Sequence, residues 1–345
     1  MKTAIVTGIT GQDGAYLAQY LLNKNVRVIG AFRRGAERTS WRLKYLGIDK
    51  DIEPLEFELS EFAQIFKAIK DIKPDYFYNL GAMSFVGTSF DQPLYTQEVN
   101  YLGALRVLES IRLAELETRF YQASTSEMFG EVKTIPQNEL TPFHPRSPYG
   151  VSKLAAHWAS INYRESYGMH CSNGILFNHE SPLRGDEFVT KKIVSCFFQI
   201  SQNNIDFFEL GNLDAKRDWG YAKDYVEGME MITNLDKPDD FVIATNKTNT
   251  IRYFCELAAN EFGYNIAWKG QGVEEIGFDS KTNKTLIRVN PKFYRPAEVD
   301  ILIGCYDKIK KVAGWKPKTS LEDLVSLMCS EEIKLNNFFN TNKVN

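Results

Sequence analysis

Close to its start the chain reads "TAIVTGITGQDGAYLAQYLL": an apolar run, three glycines, then an amphipathic run. Gly8, Gly11 and Gly14 thus fall between an expected strand and an expected helix. Glycines in such a turn let the backbone approach a pyrophosphate, which rests on the helix N-terminus. The spacing is G-x-x-G-x-x-G rather than the commoner G-x-G-x-x-G, and a glycine turn by itself can be merely structural. The strand before it, the helix after it and its position at the head of an alternating pattern make it a nucleotide loop. Thr10, Gln12 and Asp13 are its polar members.

That alternation continues. "VRVIGAF", "YFYNLGA", "RFYQAS" and "SNGILF" read as strands, separated by helical stretches such as "SEFAQIFKAIKDI", "NYLGALRVLESIRLAE" and "SPYGVSKLAAHWASINYRESYG". Unbroken apolar strands imply burial on both faces, as in a parallel sheet covered by helices. The expected fold is α/β, a Rossmann-type doubly wound parallel sheet. Beyond about residue 180 the alternation loosens into charged and glycine-rich loops, "NHESPLRGDEF" and "GNLDAKRDWG". Residues 1–180 are therefore expected to form the dinucleotide-binding domain. Residues 181–345 form a smaller mixed α/β lobe with some return crossings, a C-terminal helix over "SLEDLVSLMCSEEIKL" and a frayed end at "NNFFNTNKVN".

Composition narrows the partners. The 345 residues are 43% hydrophobic with a net charge of −3 and interspersed signs, so a large core is available and a nucleic-acid partner is not expected. No apolar run has the length of a membrane span and no leader pattern precedes the first strand, which points to a cytoplasmic enzyme. The five scattered cysteines read as reduced, and the four histidines form no metal-ligand spacing.

Two further features bear on chemistry. The second strand ends in "GAFRRG", where an NAD site carries an acidic residue for the ribose hydroxyl. Arg33 and Arg34 stand there instead, suited to a 2′-phosphate if they do more than solvate a loop, so NADP is the expected cofactor. In "SPYGVSK", Tyr149 and Lys153 lie four apart on one helix face. A free tyrosine titrates near ~10; a neighbouring ammonium together with the nicotinamide's positive charge favours the phenolate. As a lone pair they could equally be surface residues. The run "ASTSEMFGE" ends an apolar strand in hydroxyls and a carboxylate, and Glu127 there reads either as a capping residue or as a catalytic acid–base.

The combination resembles the extended short-chain dehydrogenase/reductase family, and within it the GDP-mannose 4,6-dehydratases. The matching stretches are "TGITGQDGAYLA", "YNLGAMSFVGTSF", "RFYQASTSEMFGE", "TPFHPRSPYGVSK", "NYRESYG", "GILFNHESPLRG", "LGNLDAKRDWG" and "FYRPAEVD", spread over nearly the whole chain. The resemblance implies a GDP-sugar substrate, with GDP-mannose oxidised at C4, dehydrated across C5 and C6, and given its hydride back at C6. Tyr149 would be the base at the C4 hydroxyl and Lys153 its tuner and ribose ligand. Thr125 would bond the C4 oxygen, and Glu127 would act as base at C5 and acid at C6. Leu80, Gly81, Ala82 and Ser84 would line the cofactor, with His179 and Arg184 beside it and Glu58 and Leu59 near the adenine. Ser84, Asn178, Lys192, Arg217, Arg295 and Glu298 would hold the sugar nucleotide. The segment "RRGAERTSWRLKYLG" resembles the loop through which family tetramers reach a neighbour's cofactor, so a homo-oligomer, favouring a tetramer, is expected.

Three positions depart from the family pattern. Phe85 stands where some members carry His, His144 where Tyr is usual, and Glu58 where Asp is expected. The first two leave room for a GDP-linked manno-heptose as the alternative substrate. An epimerase or reductase on the same scaffold would need no carboxylate at Glu127, and a non-catalytic NADP-binding protein would need neither Tyr149 nor Lys153.

Overall fold

The computed structural model describes residues 1–36, 40–294 and 301–342. Six strands fill the first half: β1 (Thr3–Thr7), β2 (Arg27–Phe32), β3 (Glu53–Glu56), β4 (Tyr76–Asn79), β5 (Arg119–Thr125) and β6 (Cys171–Leu176). Then come β7 (Asn178–Glu180), β8 (Phe208–Leu210), β9 (Lys216–Arg217) and β10 (Trp219–Tyr221). The last five are β11 (Asp240–Ile243), β12 (Asn249–Thr250), β13 (Ile266–Lys269), β14 (Ile276–Asp279) and β15 (Thr285–Val289). The main sheet has seven strands in the order β11-β6-β5-β4-β1-β2-β3. All its pairings are parallel, which makes this the doubly wound sheet that the apolar runs predict.

Burial on both faces follows from the two-residue period of a strand. On β1, Ala4 and Val6 point into one core while Ile5 points into the other. Tyr76 and Tyr78 of β4 join the first, and Phe77 the second. The first core is closed by Leu17 and Leu21 of helix Gln12–Asn23 and by Tyr225 and Met229 of helix Ala222–Thr233. Ile65 and Ile69 of helix Phe62–Ile72 close the second, with Val107 and Ile111 of helix Gly103–Leu113.

The second lobe is built on a mixed sheet, β13-β14-β15-β8, packed by helices Val189–Ser201, Ile251–Glu261 and Leu321–Asn342. β11, from this half of the chain, lies in the main sheet beside β6. The C-terminal helix departs from the sequence expectation. It runs on through "NNFFNTN" to Asn342 instead of fraying, because Phe338 and Phe339 meet Tyr45 and Trp41 edge-on at ring-centroid distances of 5.3 and 5.1 Å. Polar composition concealed two aromatics with partners on the other side of the fold.

Candidate active site

The functional side chains gather at the carboxyl ends of β1, β4, β5 and β6, where open α/β sheets bind ligands. Gly8 has φ +67°, and a Cβ on it would come within 2.9 Å of the backbone at Leu80 and Gly81. A Cβ on Gly14 would stand 2.3 Å from the Gly8 carbonyl. The turn is therefore closed to any side chain, and it delivers the chain into helix Gln12–Asn23 with Gly11 at its N-cap. Thr7 Oγ1 accepts from the N–H groups of Leu80 and Gly81, tying the β4 loop to the glycine turn.

Tyr149 and Lys153 sit on the first two turns of helix Pro148–Tyr167. Pro148 stands in its first turn, and Ser147 Oγ accepts from Gly150 N–H at 3.0 Å as the cap. Such a cap is worth about 1 kcal/mol. A Cβ on Gly150 would stand 2.8 Å from the Glu127 carbonyl, so its absence lets the helix start against the end of β5. Thr125 closes β5 and its Oγ1 accepts from Glu127 N–H at 3.3 Å. The carboxylate is thus presented by a short 3-10 turn, Ser126–Met128, whose cap is Thr125 rather than Glu127.

A cleft of about 620 Å³ opens over this row. Thr125, Glu127, Tyr149 and Lys153 line one wall with Leu80, Ala82, Ser84 and Asp13. Asn178, Arg184, Lys192 and Arg217, from the second half of the chain, line the other, and His179 lies beside Asp13 between the two. Gly8, Thr10, Gly11, Gln12, Gly14 and Gly81 belong to the adjoining glycine turn and the loop it contacts. Arg33 and Arg34 follow β2 and are exposed; Arg34 N–H donates to Glu58 Oε1 at 3.4 Å. Leu59 packs 3.1 Å from where a Gly81 side chain would begin. Arg295 and Glu298 fall outside the described residues, as do residues 37–39 of the double-arginine segment.

Burial sets the resting state of the Tyr149–Lys153 pair in the ligand-free chain. Burial pushes Tyr149 up to about 12, against a hydrogen bond to Thr125, while the Glu127 carboxylate raises it further. Burial lowers Lys153, 4% exposed, to about 8, with Asp13 pulling the other way. Lysine thus does not by itself produce a phenolate; its own charge is the strained one. Asp13 and His179 are paired at 2.7 Å, and His179 Nδ1 lies 2.7 Å from the Phe177 carbonyl oxygen. The pair holds the imidazole above its ordinary range and the carboxyl below, against the burial that opposes both charges.

On the facing wall, Lys192 Nζ donates to the Glu209 carbonyl at 2.7 Å and lies 4.0 Å over the Phe293 ring. Arg184 stacks on Phe188 at 3.6 Å, and Phe188 meets Phe85 edge-on at 6.1 Å. Phe85 lies at the cleft rim, whereas the His144 side chain is exposed and does not line the cleft.

Sequence reasoning missed two supports. Asn100 lies in a π-helical turn, Glu98–Leu102, and its side chain bonds Met83 N–H, the Met83 carbonyl and Ser152 Oγ. It joins the β4 loop to the catalytic helix, and an Asn amid helical apolar residues was the available signal. Buried Ser124 Oγ stands 2.9 Å from His157 Nδ1, one helical turn beyond Lys153, and burial pushes that histidine down to about 4, which leaves it neutral near pH 7.

Sheet, glycine turn and the Thr–Glu–Tyr–Lys row define a short-chain dehydrogenase/reductase scaffold. Among solved structures it resembles UDP-glucose 4-epimerase of Thermotoga maritima, determined with UDP-glucose (TM-score 0.80, 22% identity, 96% of this chain and 99% of that one). It is equally similar to DesIV, the dTDP-glucose 4,6-dehydratase of Streptomyces venezuelae with NAD bound (TM-score 0.81, 18% identity, 98% of each chain). The profile of the family described as GDP-mannose 4,6 dehydratase matches residues 5–328. The GDP-mannose 4,6-dehydratase of Sinorhizobium fredii is 46% identical, covering 96% of this chain and 97% of that protein. The human GDP-mannose 4,6 dehydratase is 44% identical, covering 97% and 92%. The chain belongs to the GDP-mannose 4,6-dehydratase family.

Proposed function

We propose that this protein converts GDP-mannose to GDP-4-keto-6-deoxymannose, holding NADP as the hydride carrier. The observation that carries the reading is the placement of Thr125, Glu127 and Tyr149 around one point of the cleft. Thr125 caps the Glu127 turn, and Thr125, Glu127 and Tyr149 line the same cleft. An epimerase needs the hydroxyl and the phenol; an elimination needs the carboxylate as well.

The glycine turn fits a dinucleotide, since its backbone is open where any side chain would close it. Bound there, the nicotinamide would accept a hydride from C4 and return it at C6. Tyr149 takes the C4 hydroxyl proton, and Thr125 orients that oxygen. Once C4 is a ketone, the C5 proton is acidic, because the resulting carbanion delocalises into the carbonyl. Glu127 removes that proton and then protonates the departing C6 hydroxyl, so one carboxylate serves as base and acid. Lys153 holds the ribose side of the site and favours the phenolate once a second positive charge stands beside Tyr149. Lys192 and Arg217 suit the diphosphate, with arginine binding its oxygens in pairs.

The preference for NADP rests on Arg33 and Arg34 and is tested by comparing the dissociation constants of NADP and NAD. A homo-oligomeric, tetrameric state is part of the same reading and is tested by light scattering. For the reaction, GDP-mannose should yield a product lighter by one water with no net reduced cofactor. An unchanged substrate mass would overturn the assignment.

A further inference from the structure

Between β7 and helix Val189–Ser201 the chain passes through Ser181, Pro182 and Leu183, which connect His179 and Glu180 to Arg184 on the lobe-side wall of the cleft. The carbonyls of Pro182 and Leu183 are each held by a buried or half-buried cation. Lys191 Nζ donates to the Pro182 carbonyl at 3.1 Å. Arg42 Nε donates to the Leu183 carbonyl at 2.7 Å, and its Nη1 donates to the Thr10 carbonyl at 3.0 Å. One guanidinium thus joins the glycine turn to the opposite wall.

Both cations are backed by the same element. Glu332 of the C-terminal helix pairs with Lys191 in a buried ion pair. Glu331, one residue earlier, accepts from the Tyr45 hydroxyl. Phe339 packs edge-on against Trp41, over whose ring the Arg42 guanidinium lies at 4.5 Å. Phe338 does the same for Tyr45. Helix Trp41–Tyr45 is only five residues long, too short to hold a side chain in place by its own hydrogen bonds.

We propose that Arg42 is a positioning residue for the dinucleotide turn and the lobe-side wall, seated through Trp41 by Phe339 of the C-terminal helix. The fork geometry matters: guanidinium nitrogens in a fixed plane reach two carbonyls on different loops at once, whereas an ammonium is a single point. Losing the fork leaves the Thr10 carbonyl or the Leu183 carbonyl without its charged donor. The two loops then keep only the ties made by Gln12 to the His179 carbonyl and Ser181 Oγ and by Asp13 to His179, and the stretch from Pro182 to Arg184 is held less firmly against the glycine turn. The proposal rests on the dinucleotide reading for its binding arm only.

The experiment measures amide hydrogen exchange across residues 9–13 and 181–184 in the full-length, ligand-free protein. Arg42→Lys should speed exchange in both segments together. Trp41→Ala and Phe339→Ala should do so more weakly, with Trp41→Phe restoring the wild-type rate. The binding arm reads NADP affinity by protein fluorescence. Arg42→Lys should weaken it about tenfold, the equivalent of one charged hydrogen bond, while kcat changes far less than the KM for the nucleotide sugar. Unchanged exchange in both segments of Arg42→Lys, or a change confined to residues 41–47, would overturn the proposal. If Arg42→Lys does not fold, Phe339→Ala carries the same criterion. Wild-type protein that binds neither NADP nor NAD would sink the cofactor reading, and the exchange arm would still decide the positioning role.

Discussion

The two walls of the cleft are built on different plans. On the sheet side, Thr125, Tyr149 and Lys153 stand on a seven-residue strand and a twenty-residue helix, and all three are buried. On the lobe side, Asn178, Lys192 and Arg217 come from strands of two or three residues and a helix start, with a loop carrying Arg184. Proton transfer demands placement within tenths of an ångström, and the groups proposed for it sit on long elements whose rotamers are fixed by packing. Diphosphate recognition tolerates more, since several cations share the charge. One wall should thus govern kcat and the other KM.

The sharpest test is Tyr149→Phe, which removes the proposed C4 base while keeping the ring in place. Turnover should fall at least ~10³-fold with the KM little changed. Next is Glu127→Gln, expected to cut product formation by about 10²-fold or more. In the proposed reaction, oxidation at C4 does not use this carboxylate, so reduced cofactor should accumulate in the variant and be visible by its absorbance. Retained dehydration would break the division of labour between phenol and carboxylate. On the opposite wall, Lys192→Met should raise the KM for the sugar nucleotide about tenfold and leave kcat within a few-fold, measured by steady-state kinetics. A kcat loss larger than the KM change would blur the distinction between the walls.

The smallest effect concerns stability and has the opposite sign. Lys153 titrates at about 8 in the folded chain against an ordinary 10.5. Between those values the unfolded chain carries the proton and the folded chain does not, so stability rises with pH across that window. Below pH 8 both states are protonated and the cost of the buried charge is fully present. Lys153→Met should therefore raise the melting temperature of the ligand-free protein by a few degrees at pH 7 and lose that advantage towards pH 10.5, even as turnover falls. Equal melting temperatures at pH 7 would mean that the lysine is held at no cost.

Legibility in the sequence followed the same split. Continuous apolar runs revealed β1, β2, β4, β5 and β6, because strands buried on both faces carry an unmistakable pattern. The strands of the second lobe, β13 to β15, are four or five residues long with no regular alternation of polar and apolar side chains, too short for a period to emerge. The Thr–Glu–Tyr–Lys row was readable because strand end and helix start are local. The pairing of Asp13 with His179, and of Ser124 with His157, was not, because each joins residues far apart in the chain. The helical end at Phe338 and Phe339 was misread for that reason too. The burial that dominates Tyr149 and Lys153 in the ligand-free chain was not legible either, because burial cannot be read from spacing.

The π-helical turn at Glu98–Leu102 has a consequence for how chains of this kind can vary in length. An α-helix advances 100° per residue, so a single deletion within residues 98–102 that restored α-helical bonding would rotate everything on one side of it. The face bearing Thr96 and the face bearing Val107 and Ile111 could then no longer dock at once. Most length changes are absorbed by surface loops; here one residue more or less is a change of phase, and Asn100 marks the place where the count must stay fixed.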